Sequence, residues 1–587
     1  MIRIGRVTIL ALPLAWLAAT APTAGQGKAP AWVARSNEHA QVLLAVMAKL
    51  SPEGAGQLGV EGYDEAITDL SPGAVDRAIA ANRDALKELE ARLAKEQEPQ
   101  VRQDLQILIE RAADTIRGLE LQRKHVVPFM NVSGAVFGGL RALLDDQVAP
   151  DRRKAALVRL RKYAGLEPGF KPFATLAEQQ TRERMGVAGL QFPSKAQVER
   201  SLADSAAFID GVPALFDKFG IGGYQEAFES LKAQLESYNA FVRREILPKA
   251  RTDFRLPPEL YAFALDQFGV DIPPAQLAAM AHEAFDQIQR EMQELAPKVA
   301  KARGWTVTDY RDVIRELKKD QLVGDAILPH YQQRLKELEA IIAREKLVTL
   351  PTRPARIRLA SPAETAASPA PNMRPPRLVG NTGEQGEFVL PLNVPGTDGQ
   401  TLKSDDFTFA AASWTLTAHE ARPGHEMQFA GMIEAGVSTA RALFSFNSTN
   451  VEGWGLYAER IVQPFMPPEG QLISLQHRLM RAARAFLDPE LQSGKISPDE
   501  AFRVLREDVV LSEAMARQEV DRYTFRAPGQ ATSYFYGYTK LMELRAEVEK
   551  KLGARFDQRA FHDFLLSQGL LPPALMREAV LKHFGAN

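Results

Sequence analysis

The segment SPGAVDRAIAANRDALKELEARL, residues 71–93, indicates which secondary structure dominates this chain. Its larger apolar residues recur at steps of three, four or seven; they are Val75, Ile79, Leu86, Leu89 and Leu93. Residues at this spacing share one face of an α-helix, and Ser71-Pro72-Gly73 is typical of a helix start. Val101, Leu105, Leu108, Ala112 and Leu119 repeat the pattern, which continues over about residues 36–345. The sequence therefore predicts a mainly α-helical fold.

The pattern changes after Leu350. Residues 351–386 are rich in Pro, Ala, Ser and Gly, as in SPAETAASPAPNMRPP, and we expect no helix there. Extended runs flank this stretch at 355–359 (ARIRL) and 387–393 (EFVLPLN). Pro391 cannot donate a ladder hydrogen bond, which favours a sheet edge for the second run. Helical patterns resume at Phe407.

The length of 587 residues exceeds what one compact core usually holds, so we expect a large bilobed body. The small β-sheet would border a central cleft. The predicted organisation is an N-terminal helical region (27–350), a loop with the small sheet (351–400) and a C-terminal helical region (401–587) that carries the functional site. The sequence carries no signal of oligomeric state.

Residues 1–26 have the features of a signal peptide. Arg3 and Arg6 form a basic start, VTILALPLAWLAATA (7–21) is apolar but short for a membrane span, and small residues follow. An uncleaved anchor is the alternative. We expect a periplasmic or secreted protein that has no membrane partner once the signal is removed.

Composition narrows the choice of partners and ligands. Lys plus Arg number 72 and Asp plus Glu number 73, so the chain has no overall positive electrostatic field that would favour binding of nucleic acid. The sequence contains no cysteine, which predicts no disulfides and no lipid attached through cysteine. Any metal would be held by His and carboxylates, a ligand set that suits catalytic zinc.

The motif TAHEARPGHE, residues 417–426, contains the residues of a zinc hydrolase site. Such a site needs two imidazole ligands and an adjacent carboxylate as general base, which points to His419, His425 and Glu420. The common spacing of the two histidines is four; a spacing of six rotates a regular helix by roughly 240°. Pro423 and Gly424 predict a kink or restart that returns His425 to the metal. The alternative is a helix N-cap turn with two surface histidines.

A third ligand is predicted in NVEGWGLYAE, residues 450–459. Glu452 and Glu459 lie seven apart on one helical face, so one could bind zinc while the other orients a ligand. We assign Glu452 as the ligand and Glu459 as its support; two surface glutamates are the alternative. His282 precedes Glu283 but has no partner histidine nearby, so we interpret it as structural.

A tyrosine-rich segment, PGQATSYFYGY at residues 528–538, offers hydroxyl donors for an oxyanion. Tyr534 is the predicted catalytic donor and Tyr536 a substrate-binding residue, although such a stripe is also typical of packing. Arg522 and Arg526 precede it and could bind a substrate carboxylate.

Together, HEARPGHEMQ, NVEGWGLYAE and PGQATSYFYG resemble the bacterial family catalogued as domain of unknown function 885. That family looks distantly similar to helical zinc metallopeptidases such as angiotensin-converting enzyme and thermostable carboxypeptidase. The resemblance implies a cleft, zinc completed by Glu452, Glu420 as base and a tyrosine near Tyr534 as oxyanion donor. It also implies that the strand 388–393 pairs with an extended substrate.

The sequence thus predicts an exported zinc (Zn²⁺) peptidase. A carboxylate bound by Arg522 or Arg526 would favour exopeptidase action. One alternative is hydrolysis of a non-peptide amide or ester at the same centre. Another is a non-catalytic binding protein of the envelope, although Glu420 would then have no purpose.

Overall fold

The computed structural model describes residues 30–368, 370–391, 394–395, 401–402 and 405–585. The predicted signal peptide at 1–26 lies outside the described residues. The prediction of a mainly α-helical chain with a small β-sheet is confirmed. Among the described helices, none combines the length and hydropathy that crossing a membrane requires.

Helices form almost the whole first part of the chain. They are α1 (Ala31–Leu50), α2 (Pro52–Leu58), α3 (Ala74–Leu93), α4 (Pro99–His125), α5 (Val132–Arg141), α6 (Pro150–Arg153), α7 (Ala155–Tyr163), α8 (Phe173–Met185), α9 (Lys195–Lys218), α10 (Gln225–Phe241), α11 (Pro258–Gln267), α12 (Pro274–Arg303), α13 (Tyr310–Leu317) and α14 (Ile327–Arg344).

Short strands and a second set of helices follow. They are β1 (Arg356–Leu359), α15 (Pro362–Ala367), β2 (Asn372–Arg374), β3 (Glu387–Leu390), β4 (Val394–Pro395), β5 (Thr401–Leu402), α16 (Ala412–Glu420), α17 (His425–Ala435), α18 (Ser448–Val462), α19 (Pro468–Gln492), α20 (Pro498–Arg503), α21 (Glu513–Asp521), α22 (Thr532–Leu552), α23 (Gln558–Ser567) and α24 (Pro573–His583).

Single 3₁₀ or π turns supplement these helices. The π turns are Val242–Ile246, Ala440–Phe444, Val504–Asp508 and Arg522–Arg526, and the 3₁₀ turns are Leu247–Lys249, Gly324–Ala326, Gln463–Phe465 and Gly553–Arg555.

The segment that predicted the fold is α3. The helix begins directly after Gly73, whose φ of 77° is a left-handed conformation that glycine adopts without strain. Of the predicted apolar face, Ile79 and Leu89 are buried, whereas Val75 at the first turn is exposed. α3 packs against α4 and α1, so the helical spacing correctly identified an element of the core.

The three-stranded sheet has the order β1-β3-β2, with β3 parallel to β1 and antiparallel to β2. The prediction that the run before Pro391 lies at a sheet edge is therefore wrong, because β3 is the central strand. The physical reason is that β3 ends at Leu390. Pro391 follows the strand, so its missing N–H removes no hydrogen bond from the sheet. β4 and β5 form a separate antiparallel pair.

The prediction that no helix forms within 351–386 is also wrong, because α15 lies there. Pro362 occupies the first helical position, where no backbone N–H is needed. Ser361 and Glu364 form a capping box that satisfies the free N–H groups of this end.

Hydrophobic clusters join the two helical regions of the chain. One cluster combines residues of α11–α14 with residues of α16, α19 and α22. A second combines α1, α3 and α4 with α18 and the C-terminal helices α23 and α24. A third is built almost wholly from residues between 132 and 246. α12 packs along α19, and α18 packs along α22. The motifs NVEGWGLYAE and PGQATSYFYG, which lie on or next to α18 and α22, are therefore held together.

Candidate metal centre

The polypeptide breaks its helix between the two histidines, as predicted. α16 ends at Glu420, α17 begins at His425, and the Arg422–Pro423 peptide bond between them is cis. A Cβ on Gly424 would lie 1.8 Å from the carbonyl oxygen of His419, so only glycine fits this turn. The restart brings the rings of His419 and His425 to a centroid distance of 4.6 Å.

A buried ion pair holds this turn. Nε of Arg422 donates to Oε2 of Glu426 at 2.7 Å, and Nη1 donates to Glu339 at 2.7 Å. Trp454 Nε1 donates to the carbonyl of Pro423 at 2.9 Å. Sequence reasoning missed this pair, although an arginine and a glutamate four residues apart around Pro-Gly were its signal.

Glu452 on α18 faces both histidines. Its Oε2 lies 3.5 Å from Nε2 of His419 and 3.2 Å from Nε2 of His425, and the three candidate ligand atoms all lie within 4.8 Å of one another. In the described residues this buried oxygen makes no hydrogen bond. With zinc–ligand bonds of about 2.0–2.1 Å, neighbouring atoms of a tetrahedron are about 3.3 Å apart. The observed separations fit a zinc ion between these residues.

Glu459, which follows Glu452 on the same face of α18, orients His419. Nδ1 of His419 donates to Oε1 of Glu459 at 2.7 Å, which leaves Nε2 free for a metal. Thr415 donates to the other carboxylate oxygen. Burial would raise the pKa of Glu459, but Arg481 and His419 lower it to about 2. Glu459 thus makes the contact with His419 that its predicted supporting role requires, and the role itself stays a prediction.

In the absence of a metal, the cluster pairs an ionised carboxylate with a protonated imidazole. Burial would lower the pKa of His419, but Glu452 and Glu459 raise it to about 9. Burial would raise the pKa of Glu452, but the two imidazoles hold it well below its usual range. An ionised carboxylate is the form that binds a metal, and binding would release the extra proton of His419.

Glu420 is the last residue of α16 and lies buried beside both histidines. Burial raises its pKa, an effect that the charges of His419 and His425 partly offset. A carboxylate with a raised pKa is a better proton acceptor near neutral pH, which is the property a general base needs.

Glycines on α18 make room for the rings. A Cβ on Gly455 would lie 2.6 Å from Cε1 of His419 and 2.8 Å from Cε1 of His425. Gly453 lies against Gly537 of α22, where an added Cβ would approach the Gly537 carbonyl carbon to 2.5 Å. The Gly-x-Gly of NVEGWGLYAE was the signal of this close packing, and sequence reasoning did not use it.

The structure brings Tyr534 and Arg522 to the cluster. The ring of Tyr534 is nearly parallel to that of His419, with centroids 6.2 Å apart. Nη1 of Arg522 donates to the Tyr534 hydroxyl at 3.5 Å. Burial and the charge of Glu452 raise the pKa of Tyr534, so the phenol keeps its proton and can donate it in a hydrogen bond.

Two other predicted residues are not brought there. Arg526 lies 3.8 Å from Asp204 of α9, and the Tyr536 hydroxyl donates to Asp271. Two positions along a helix correspond to a rotation of about 200°, which explains why Tyr536 faces away from Tyr534. Of the three residues predicted to bind substrate, Arg522 is the one with a described contact to Tyr534, and its role stays a prediction.

The substrate strand implied by the resemblance also needs correction. β3 is paired on both sides and Phe388 is fully buried, so this strand has no free edge for a peptide. Asn393, the end of the implied strand, lies outside the described residues.

Two arginines of α19 were missed by sequence reasoning. Nη2 of Arg481 lies 3.5 Å from Oε1 of Glu459, and Arg484 donates to both oxygens of Glu519 at 2.6 and 2.7 Å. The Arg484 guanidinium lies 4.4 Å from the centroid of the Tyr534 ring. Their signal was the three-residue spacing of Arg478, Arg481 and Arg484, which keeps the three arginines close to one face of α19.

Comparisons with known proteins give a family and a fold. A model of the family described as "Bacterial protein of unknown function (DUF885)" matches residues 52–580. A crystal structure of a "putative lipoprotein from Colwellia psychrerythraea" is 19% identical, with a TM-score of 0.75, and the match covers 94% of this chain and 99% of that one. A "putative lipoprotein of unknown function from Shewanella oneidensis" is 20% identical, with a TM-score of 0.68, covering 94% and 100%. No curated protein sequence matches.

Proposed function

The chain belongs to the bacterial DUF885 family, and from its metal centre we propose that it is an exported zinc-dependent peptidase. One observation carries the proposal. Nε2 of His419, Nε2 of His425 and Oε2 of Glu452 have the spacing of zinc ligands, and a buried Glu420 lies beside them.

The side chains around this centre suit hydrolysis of an amide bond. A zinc ion held there would polarise the scissile carbonyl and lower the pKa of a water. Glu420 would take the proton of the attacking water and pass it to the leaving nitrogen. The Tyr534 hydroxyl would donate a hydrogen bond to the carbonyl oxygen as negative charge develops.

Export is part of this proposal. The basic start and the short apolar run of residues 7–21 favour a secretion signal. The two structural relatives carry names that include the word lipoprotein, which supports an envelope destination for this chain as well. We propose a periplasmic or secreted location.

Metal content is the first test. We expect purified wild-type protein to hold about one zinc per chain by plasma mass spectrometry, and His425→Ala to lose it. The matched control is His282→Ala, because His282 also precedes a glutamate but contacts Glu490 and Phe486 instead. A folded wild type that takes up no zinc on reconstitution would sink the proposal.

Activity is the second test. A peptide library incubated with wild type should be cleaved, and Glu420→Gln should lower the rate by roughly 10²–10⁴-fold while zinc is retained. Glu283→Gln, the equivalent change in the other His-Glu pair, should leave the rate unchanged. If the zinc-loaded protein cleaves only non-peptide amides or esters, the chain is a hydrolase of those compounds and not a peptidase. If wild type and Glu420→Gln bind peptides equally well and neither cleaves them, the chain is a binding protein.

A further inference from the structure

Three arginine side chains converge on Tyr534. Arg481 and Arg484 lie on α19, and Arg522 begins the π turn before α22. The guanidinium carbons of Arg484 and Arg481 lie 4.4 and 5.8 Å from the centroid of the Tyr534 ring. Nη1 of Arg522 lies 3.5 Å from its hydroxyl. Three positive charges therefore surround the residue that we place at the reacting carbonyl.

The carboxylates in contact with these arginines are fewer than the arginines. Glu519 accepts both hydrogen bonds of Arg484 and also lies 3.8 Å from Nη2 of Arg522. Arg481 has Glu459 at 3.5 Å, but that carboxylate is already bonded to a ligand imidazole. The charge of Glu452 also acts on Arg481, so the arginines share their carboxylates rather than pairing with them one to one. A buried donor without an acceptor is costly, so an anion that accepts hydrogen bonds from these arginines would be stabilised here.

Hydrogen-bond donors are available to such an anion. Nη1 of Arg484 and Nε of Arg481 are buried and have no acceptor among the described residues. Both side chains are at least nine-tenths buried, whereas the side chain of Arg522 is 22% exposed and that of Glu452 is 16% exposed. Solvent therefore reaches this group of residues where Arg522 and the proposed metal ligand Glu452 lie.

On the basis of the proposed function, we propose that Arg481, Arg484 and Arg522 bind the C-terminal carboxylate of a peptide substrate, which makes the enzyme a carboxypeptidase. A carboxylate matches the planar fork of a guanidinium and accepts two hydrogen bonds from it. A free N-terminal ammonium would be repelled by the three guanidinium groups, and an internal peptide segment would give the unpaired donors of Arg481 and Arg484 no charged acceptor. Because the arginines contact Tyr534, the bound carboxylate lies next to the bond that is cleaved.

The test uses two peptides that differ only in a free or an amidated C-terminus. We expect wild type to favour the free acid by at least roughly 100-fold in kcat/KM. Arg522→Gln should lower that preference by roughly 10- to 100-fold, mainly through KM, with the zinc content unchanged. Arg526→Gln is the matched control, because this neighbour pairs with Asp204 and should keep the full preference. Equal cleavage of both peptides by wild type would overturn the inference and leave the peptidase intact.

A binding measurement separates this inference from the proposed function. Calorimetry on the zinc-loaded protein would compare 3-phenylpropanoate with 3-phenylpropanamide. Tighter binding of the acid that is weakened at least tenfold in Arg522→Gln supports the anion site even if no peptide is cleaved. Binding of the acid that is unchanged in Arg522→Gln overturns it. If Arg522→Gln shows a lowered Tm, Arg522→Lys keeps the charge and should retain part of the acid preference.

Discussion

Replacing Gly455 by alanine would test whether the close approach of α18 sets the geometry of the metal ligands. The new Cβ would lie 2.6 Å from Cε1 of His419 and 2.8 Å from Cε1 of His425. Carbon atoms in contact need about 3.5 Å, so the methyl group and the rings must separate by roughly 0.7–0.9 Å. A metal site tolerates ligand shifts of only about 0.2 Å.

We therefore expect Gly455→Ala to lower zinc affinity by roughly 10- to 100-fold, the range found when a support of a metal ligand is lost. Overpacking of this buried contact should also cost about 1–3 kcal/mol of unfolding free energy. Zinc affinity would be measured by competition with a chromogenic chelator. Stability would be measured by urea unfolding in the presence of a strong chelator.

The control is Gly431→Ala in α17, where an added Cβ meets nothing within 4 Å. This variant should keep its zinc affinity and gain up to about 1 kcal/mol, because alanine favours helix over glycine. Wild-type zinc affinity in Gly455→Ala would refute the argument that this glycine positions the two imidazoles. If Gly455→Ala lowered stability but not zinc affinity, the close packing at Gly455 would be supported, but its effect on the metal ligands would not.

Three further outcomes are expected. Tyr534→Phe should lower kcat by roughly 10²–10³-fold with zinc retained, and an unchanged kcat would remove this hydroxyl from the reaction. Glu459→Gln should weaken zinc binding by roughly 10- to 100-fold in the same competition assay, because the donor Nδ1 of His419 loses a charged acceptor; equal affinity would contradict that role. Burial lowers the pKa of His562 to about 4, below its ordinary value of 6.5. The neutral imidazole therefore contributes stability that is fully present above pH 6.5. This stability is lost as the pH falls from 6.5 through about 4. This contribution is about 3 kcal/mol, and urea unfolding of His562→Gln should show a smaller dependence on pH than wild type; parallel curves would contradict it.

Local chemistry explains what could be predicted from the sequence. Helical spacing identified α3 and α4 because a buried face repeats with the period of the helix. The restart between His419 and His425 could be predicted because Pro423 removes a hydrogen bond and Gly424 permits a turn that a Cβ would block. The spacing of Glu452 and Glu459 on one face was enough to expect both near the histidines.

Contacts between distant segments explain what could not be predicted. Arg526 pairs with Asp204, which lies on α9, and no spacing within the motif reports that contact. Arg481 and Arg484 lie in α19, and what they can bind depends on Glu459 and on other residues that only the fold brings near. In the same way, the central position of β3 depends on partners from both sides.

The close packing of α18 and α22 links metal ligation to the proposed oxyanion donor. Gly453 and Gly537 lie in contact, and a side chain on either would force the two helices apart. α18 carries Glu452 and α22 carries Tyr534, so this glycine contact governs how closely the proposed metal ligand approaches the helix of the proposed donor. A regular helix would have needed histidines four apart. Here the proposed ligands come from a broken helix and a second helix packed against it, so the precision of the proposed site depends on helix packing rather than on the spacing of one motif.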